Sequence, residues 1–93
     1  MNDPNAFRGN RMRALRQAMN WTQQQLADKA EITRSQVANV ELGKSLPTIP
    51  SAIRIAKSLH TTLDYLCGLS DEPGKEWSSV FFQQLVPQHI RTD

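Results

Sequence analysis

Three polar side chains of different chemistry, Arg34, Ser35 and Asn39, are spaced so that a single helix would present them together. At 100° per residue, they fall within an arc of roughly 140°. A guanidinium, a hydroxyl and a carboxamide can between them donate and accept hydrogen bonds. With only small Ala38 between them, this arc could enter a groove of a binding partner and hydrogen-bond to its polar edges.

The opposite side of the same segment predicts how the helix would be held. Val37 and Val40 lie there, and apolar residues on one arc attach a helix to the body of a domain. Leu42 falls in the outer arc with the polar residues. Gly43 then supplies the left-handed residue that commonly ends a helix.

Two consecutive helix starts with the same local pattern would position this arc. Thr22 and Thr33 each precede a glutamine by three residues, Gln25 and Gln36, which is the spacing of a capping box. Each box also has a hydrophobic staple, formed by Trp21 with Leu26 and by Ile32 with Val37. One such set is common by chance, whereas two complete sets in tandem are rare. They predict two short helices joined by a tight turn.

The stretch QQLADKAEITRSQVANVELGKS, followed by IRIAKSL and LDYL, resembles the helix-turn-helix family of phage repressors and Cro proteins, the XRE-like family. The resemblance extends from about Arg11 to Gly68. It implies an all-α fold, a five-helix repressor-like helix-turn-helix domain whose third helix is the recognition helix for double-stranded DNA. We expect a C-terminal amphipathic helix in addition.

The resemblance also implies roles for individual residues. Base edges would be read by Arg34, Ser35 and Asn39, where Arg34 suits the O6 and N7 of guanine and Asn39 suits adenine. DNA phosphates would be contacted by Thr22, Gln23, Lys44 and Arg13.

In this family an arginine of helix 1 forms an internal ion pair with a glutamate of helix 3, and the matching residues here are Arg16 and Glu41. Glu41 lies at the edge of the buried arc, where an unpaired carboxylate would be costly. The sequence departs from the family at Glu31, which replaces the usual glycine. Either Glu31 adopts a left-handed conformation with about 1 kcal/mol of strain, or a different turn re-aims the recognition helix.

The remaining helices are predicted from apolar spacing. Helix 1 runs from Phe7 to about Met19, with Arg8, Arg11 and Arg13 on its outer side, either as a solvated face or as phosphate contacts. The predicted core face of helix 4 consists of Ile49, Ala52, Ile53, Ala56 and Leu59. Leu42 and Leu46 lie at an edge, where they contact thymine methyl groups or cover the core; we favour the core.

The sequence divides into a domain at residues 7–68, a linker at 69–74 and a C-terminal segment at 75–93. In that segment Trp77, Val80, Phe81 and Leu85 recur at helical spacing and form an apolar stripe. The stripe could fold back on its own core, bind a second copy or bind another protein. We favour a homodimer, because family members bind two-fold operators with half-sites about 34 Å apart.

Composition limits the cellular setting and the chemistry. The net charge is +2, and residues 1–68 hold nine Lys or Arg against five acids, so positive charge is concentrated in the predicted DNA-binding part. A single cysteine, the absence of an apolar run of about 20 residues and the polar N-terminus favour a cytoplasmic protein. Two distant histidines, no phosphate loop and no paired carboxylates predict no enzyme activity, cofactor, metal or small-molecule site.

The leading functional prediction is therefore a transcriptional regulator, a repressor of phage or mobile-element type that occupies a two-fold operator through the major groove. The alternative is an antitoxin that binds its own promoter through the same fold. In that case the apolar stripe of residues 75–93 would bind a protein toxin.

Overall fold

The computed structural model describes residues 7–77, and this part of the chain consists of α-helices with short connections and no strand. The helices are α1 (Gly9–Ala18), α2 (Gln23–Ala30), α3 (Arg34–Glu41), α4 (Ile49–Ser58) and α5 (Leu63–Leu66). The all-α prediction with five helices is confirmed.

Threonine residues begin four of these helices. Thr22 and Thr33 each accept a hydrogen bond from the glutamine amide three residues on, and that glutamine side chain accepts one from the threonine amide. Both predicted capping boxes are therefore present. Thr48 and Thr62 cap α4 and α5 through their side chains. These bonds satisfy amides that a helix leaves unpaired at its first turn.

Left-handed residues follow the first four helices: Asn20, Glu31, Gly43 and His60 have φ angles of 62°, 59°, 77° and 56°. Glu31 therefore adopts the conformation that the family usually gives to glycine, at a cost of about 1 kcal/mol. The tight turn between α2 and α3 is kept, and the amide of Ile32 closes it by donating to the Ala27 carbonyl at 3.0 Å.

The hydrophobic core lies between α2 and its neighbours. Helix α2 packs against both α3 and α4, while α1 packs against α3 and α5. The largest fully buried side chains are Met12, Leu15, Leu26, Val37, Ile55, Leu59, Leu66 and Trp77. Each helix contributes to this set, so burial of one shared core fixes the pose of α3.

The core face predicted for α4 was right for Ala52, Ala56 and Leu59, which are buried, and wrong for its two isoleucines. Ile49 and Ile53 are 74% and 39% exposed, whereas Ile55 is fully buried beside Ala56 and Leu59. Two overlapping apolar stripes at helical spacing run along α4, and the buried one contains Ile55 in place of Ile49 and Ile53. The sequence pattern alone does not distinguish between them.

The segment predicted as a linker is held against the domain. The Arg11 guanidinium donates to the carbonyl oxygens of Tyr65 and Ser70 at 2.7 and 2.8 Å, and it forms a 2.7 Å ion pair with Asp71. The Thr61 hydroxyl donates to the Pro73 carbonyl at 2.6 Å. We call residues 69–77 the C-terminal clasp, because their backbone is fastened to α1 and to the end of α4.

Trp77 ends the clasp inside the core rather than on a dimerisation surface. Its side chain is 0% exposed, and its indole nitrogen donates to the Leu59 carbonyl at 2.6 Å. Burying a large aromatic ring and satisfying its N–H outweighs leaving it in water. The assignment of Trp77 to dimerisation is therefore corrected, whereas Val80, Phe81 and Leu85 lie outside the described residues.

Candidate nucleic-acid interface

Helix α3 divides into a buried side and an exposed side. Val37 and Val40 are buried in the core, while Arg34, Ser35 and Asn39 are exposed. Within residues 7–77, no hydrogen bond or ion pair engages the side chains of these three residues. We call the exposed side, formed by Arg34, Ser35, Ala38, Asn39 and Leu42, the recognition face. Its polar groups are available to a partner.

The polar side chains of Thr33 and Gln36, which lie beside this face, are used in the capping box of α3. The Gln36 side chain accepts from the Thr33 amide at 2.8 Å, and the Thr33 hydroxyl accepts from the Gln36 amide at 3.1 Å. Both side chains are engaged in starting the helix. The side chains of the exposed arc take no part in this cap.

A cleft of about 190 Å³ borders the recognition face. Its lining consists of Arg13, Arg16, Gln23, Ala38, Glu41 and Leu42. It therefore brings together α1, the start of α2 and the outer side of α3. The free amides at the start of α2 carry partial positive charge, which favours an anion at this place.

An ion pair neutralises the one carboxylate of this cleft. The Glu41 carboxylate accepts from Nε and Nη2 of Arg16 at 2.6 and 3.2 Å, and both side chains are largely buried. Arg16 also donates through Nη1 to the Trp21 carbonyl at 2.7 Å. The side-chain nitrogen Nε2 of Gln23 donates to the same carboxylate at 3.0 Å. Glu41 thus joins α1, α2 and α3, and its charge is compensated where a phosphate would approach.

Of the four residues expected at phosphates, two line this cleft and two do not. Arg13 and Gln23 line it, and Arg13 is exposed. Thr22 lies directly before Gln23 and accepts from the Gln25 amide at 3.0 Å, so its hydroxyl can still donate. Lys44 is exposed after Gly43 and is not part of the cleft lining.

The prediction that Leu42 covers the core was wrong. We expected Leu42 and Leu46 to cover the core, but they are 67% and 66% exposed. Leu42 is the residue that caps α3, where it projects from the outer arc instead of bending back over Val40. Its position on the helix was visible in the sequence, and only its apolar character suggested burial.

Gly9 is a residue that the sequence pattern did not single out. A methyl group at its α-carbon would overlap the Val40 carbonyl oxygen and lie 3.1 Å from the Glu41 α-carbon. Only a glycine allows the start of α1 to approach the end of α3 this closely. Gly9 therefore contributes to the placement of α3.

Arg11 differs from its expected role as well. Its guanidinium lies 4.3 Å from the centre of the Tyr65 ring and is held by the C-terminal clasp. Of the basic residues predicted on the outer side of α1, Arg11 is thus turned to the domain, whereas Arg13 faces solvent. Arg11 and Arg13 are two residues apart, so they lie about 160° apart around α1, and the contact of Arg11 with the clasp depends on residues about 60 positions further along the chain.

A capped helix pair with a buried inner side, an exposed polar outer side and an adjoining basic cleft defines a helix-turn-helix domain of the repressor type. The helix-turn-helix family model matches residues 12–66, which is more than half of the chain. The chain belongs to this helix-turn-helix family, as its resemblance to phage repressors predicted.

Individual relatives support the same assignment. The chain is 40% identical over 53 residues to the cryptic phage CTXphi transcriptional repressor RstR of Vibrio cholerae, an alignment that covers 57% of this chain and 47% of RstR. It is 33% identical over 63 residues to the uncharacterized HTH-type transcriptional regulator YobD of Bacillus subtilis, covering 68% of this chain and 56% of YobD. The chain thus spans about half the length of these two relatives.

A solved structure has the same fold. The solution structure of the DNA-binding domain of the P22 C2 repressor matches with a TM-score of 0.63 and 26% sequence identity. The match covers 77% of this chain and 95% of that domain.

Two further properties concern residues 7–77 alone. No helix there is long and apolar enough to cross a membrane. No group of three or more His, Cys, Asp or Glu side chains in this part of the chain is placed to hold a metal ion.

Proposed function

We propose that this chain is a sequence-specific transcriptional regulator that binds double-stranded DNA by inserting α3 into the major groove, and that it acts as a repressor of phage or mobile-element type. The observation that carries the proposal is the recognition face, whose polar side chains are exposed while the opposite side of α3 is buried. The similarity to RstR, a transcriptional repressor, and to YobD, a transcriptional regulator, supports it.

Base recognition is assigned to the polar residues of this face. The Arg34 guanidinium can donate two hydrogen bonds to the O6 and N7 of guanine, and the Asn39 carboxamide can bond to the N6 and N7 of adenine. Each good bidentate contact contributes about 1 to 3 kcal/mol of discrimination. Ser35 adds a hydroxyl that suits several bases.

Phosphate contacts would supply most of the affinity. We assign them to Arg13 and Gln23 at the cleft, Thr22 beside it and Lys44 after α3. The ion pair of Glu41 with Arg16 supports this assignment, because it removes the negative charge that would repel a phosphate. The function proposed is binding without catalysis, in the cytoplasm where the DNA is accessible.

We also propose that the protein binds its operator as a homodimer. Helix α3 has 8 residues and is about 12 Å long, so a single copy contacts only a short half-site. The apolar residues after the clasp, Val80, Phe81 and Leu85, remain candidates for the dimer contact. Trp77 does not, because it belongs to the core. No observation favours the antitoxin alternative.

Selection of binding sites from random duplexes tests the proposed function. The full chain should enrich a short motif with two-fold symmetry in which guanine and adenine recur in each half-site. Failure to enrich any motif at moderate salt would contradict sequence-specific binding.

Two variants separate the proposed contacts. Lys44→Ala should weaken binding to all sequences about equally. It should also make the slope of log binding constant against log salt concentration shallower by about 1, the value of one phosphate contact. Truncation after Trp77 retains every core residue of the described part of the chain, so sedimentation of that truncated chain beside the full chain tests the dimer. An unchanged dimer after truncation would exclude residues 78–93 as the contact.

A further inference from the structure

Leu42 is an apolar side chain in a polar setting. Leu42 directly follows α3 and is 67% exposed, whereas the valines on the inner side of α3 are buried in the core. Rotation from Arg34 at 100° per residue places Leu42 near the middle of the recognition face, between the directions of Ala38 and Ser35. A large exposed leucine at this position does not stabilise the domain core.

The surroundings of Leu42 connect it to the phosphate-binding side. It lines the same cleft as Arg13 and Gln23, so a DNA strand held by those two residues would pass beside it. Ala38, which is one turn earlier, lines the cleft as well. Leu42 and Ala38 therefore form a short apolar strip within the recognition face.

Other exposed apolar residues do not share this placement. Leu46 is exposed in the connection after α3, Ile49 and Ile53 are exposed on α4, and Leu69 is exposed in the C-terminal clasp. None of them belongs to α3 or lines the cleft of Arg13 and Gln23. Leu42 is thus distinguished from them by its place on the recognition face and not by its exposure alone.

The chemistry of the major groove identifies one matching group. Thymine presents a 5-methyl group there, whereas the edges of the other three bases present polar atoms. We propose that Leu42 is a specificity-determining residue that contacts the 5-methyl group of a thymine in each half-site. This inference rests on the proposed function and names a contact that the polar residues of α3 do not make.

The size of the effect follows from the burial of one methyl group. Removing a methyl group from water contributes about 0.8 kcal/mol, which corresponds to a change in affinity of about fourfold. The contact therefore adjusts specificity at one base pair and leaves the affinity for other sequences nearly unchanged.

A methyl-deletion scan tests the proposal. Each thymine of the selected operator is replaced in turn by deoxyuridine, which lacks only the 5-methyl group and keeps its base pairing. The full wild-type chain should lose about fourfold in affinity at one thymine of a half-site. Leu42→Ala should bind the two duplexes equally well. Leu42→Met, which keeps an apolar side chain of similar size, should retain most of the discrimination.

The control variant is Ile49→Ala, since Ile49 is an exposed apolar residue outside the recognition face. It should show the same fourfold loss on the deoxyuridine duplex as the wild type. Thermal melting of Leu42→Ala should match the wild type, because the side chain is exposed.

Three results would overturn the inference: an operator without thymine in the half-site, no penalty for deoxyuridine at any position, or an equal penalty in wild type and Leu42→Ala. In each of these cases the wild type still binds its operator, so the proposed function stands. Failure of the wild type to select any operator would overturn both proposals together.

Discussion

The helix-turn-helix unit and the C-terminal clasp are held in place by different kinds of contact. In the unit formed by α2 and α3, each capping box joins residues three apart in the chain. In the clasp, the hydrogen bond from Trp77 to Leu59 joins residues 18 apart in the chain, and the one from Arg11 to Asp71 joins residues 60 apart. The surface proposed to bind DNA therefore starts from local signals, whereas the contacts that close the domain around it come from distant parts of the sequence.

The largest loss of stability expected from this comparison is at the clasp. Trp77→Ala should lower the free energy of unfolding by about 3 to 5 kcal/mol, because it removes a fully buried ring and leaves the Leu59 carbonyl without its donor. Urea denaturation measures the change. Leu69→Ala, at an exposed position of the same segment, should change stability by less than about 0.5 kcal/mol. Equal effects of the two variants would show that the clasp is not part of the folded core.

The next effect is expected where the helix-turn-helix unit meets α1. Glu41→Ala leaves the largely buried Arg16 guanidinium without its carboxylate, and loss of one partner of a buried pair costs about 3 to 5 kcal/mol. Chemical denaturation should show this loss.

The double variant Arg16→Met with Glu41→Leu serves as the control, since two apolar residues of similar size often replace a buried pair without loss. It should recover most of the stability. A melting temperature of Glu41→Ala equal to that of the wild type would contradict the structural role of the pair.

A smaller loss is expected at the close approach of α1 and α3. Gly9→Ala places a methyl group against the Val40 carbonyl oxygen, and overpacking of this kind costs about 1 to 3 kcal/mol. Thermal denaturation measures it. Gly43→Ala is an informative contrast, since nothing lies within 4 Å of the added methyl group and only the left-handed backbone opposes it. A neutral Gly9→Ala variant would show that α3 has room to move.

The smallest stability effect is expected at the local signals themselves. Thr22→Ala and Thr33→Ala each remove a side-chain cap, which costs about 1 kcal/mol. The two losses should be similar, because the two boxes have the same geometry. Helix content by circular dichroism and urea denaturation would measure them. A loss at only one threonine would break the equivalence of the two boxes.

The same comparison explains how much of the structure could be predicted from the sequence. Both capping boxes were predictable, because their partners lie within one helical turn. The outer arc of α3 followed from helical rotation. The approach of Arg16 to Glu41 required the resemblance to repressors, since 25 residues separate them.

Other features depended on packing that no local pattern contains. Two apolar stripes overlap on α4, and the packing of the whole domain decides that Ile55 is buried while Ile49 is exposed. The clasp has the composition of a linker, yet Arg11 binds its backbone. Leu42 was assigned to the core because of its apolar character, although its angle on α3 already placed it outside.

The central claim is that the recognition face binds the base edges of DNA. Fluorescence anisotropy with the selected operator tests it most directly. Arg34→Ala and Asn39→Ala should each lose about 1 to 3 kcal/mol of operator binding and change little on a scrambled duplex. Lys57→Ala, an exposed cation on α4 outside this face, should bind the operator as the wild type does. If Arg34→Ala and Asn39→Ala both bound the operator as tightly as the wild type, the claim would be contradicted.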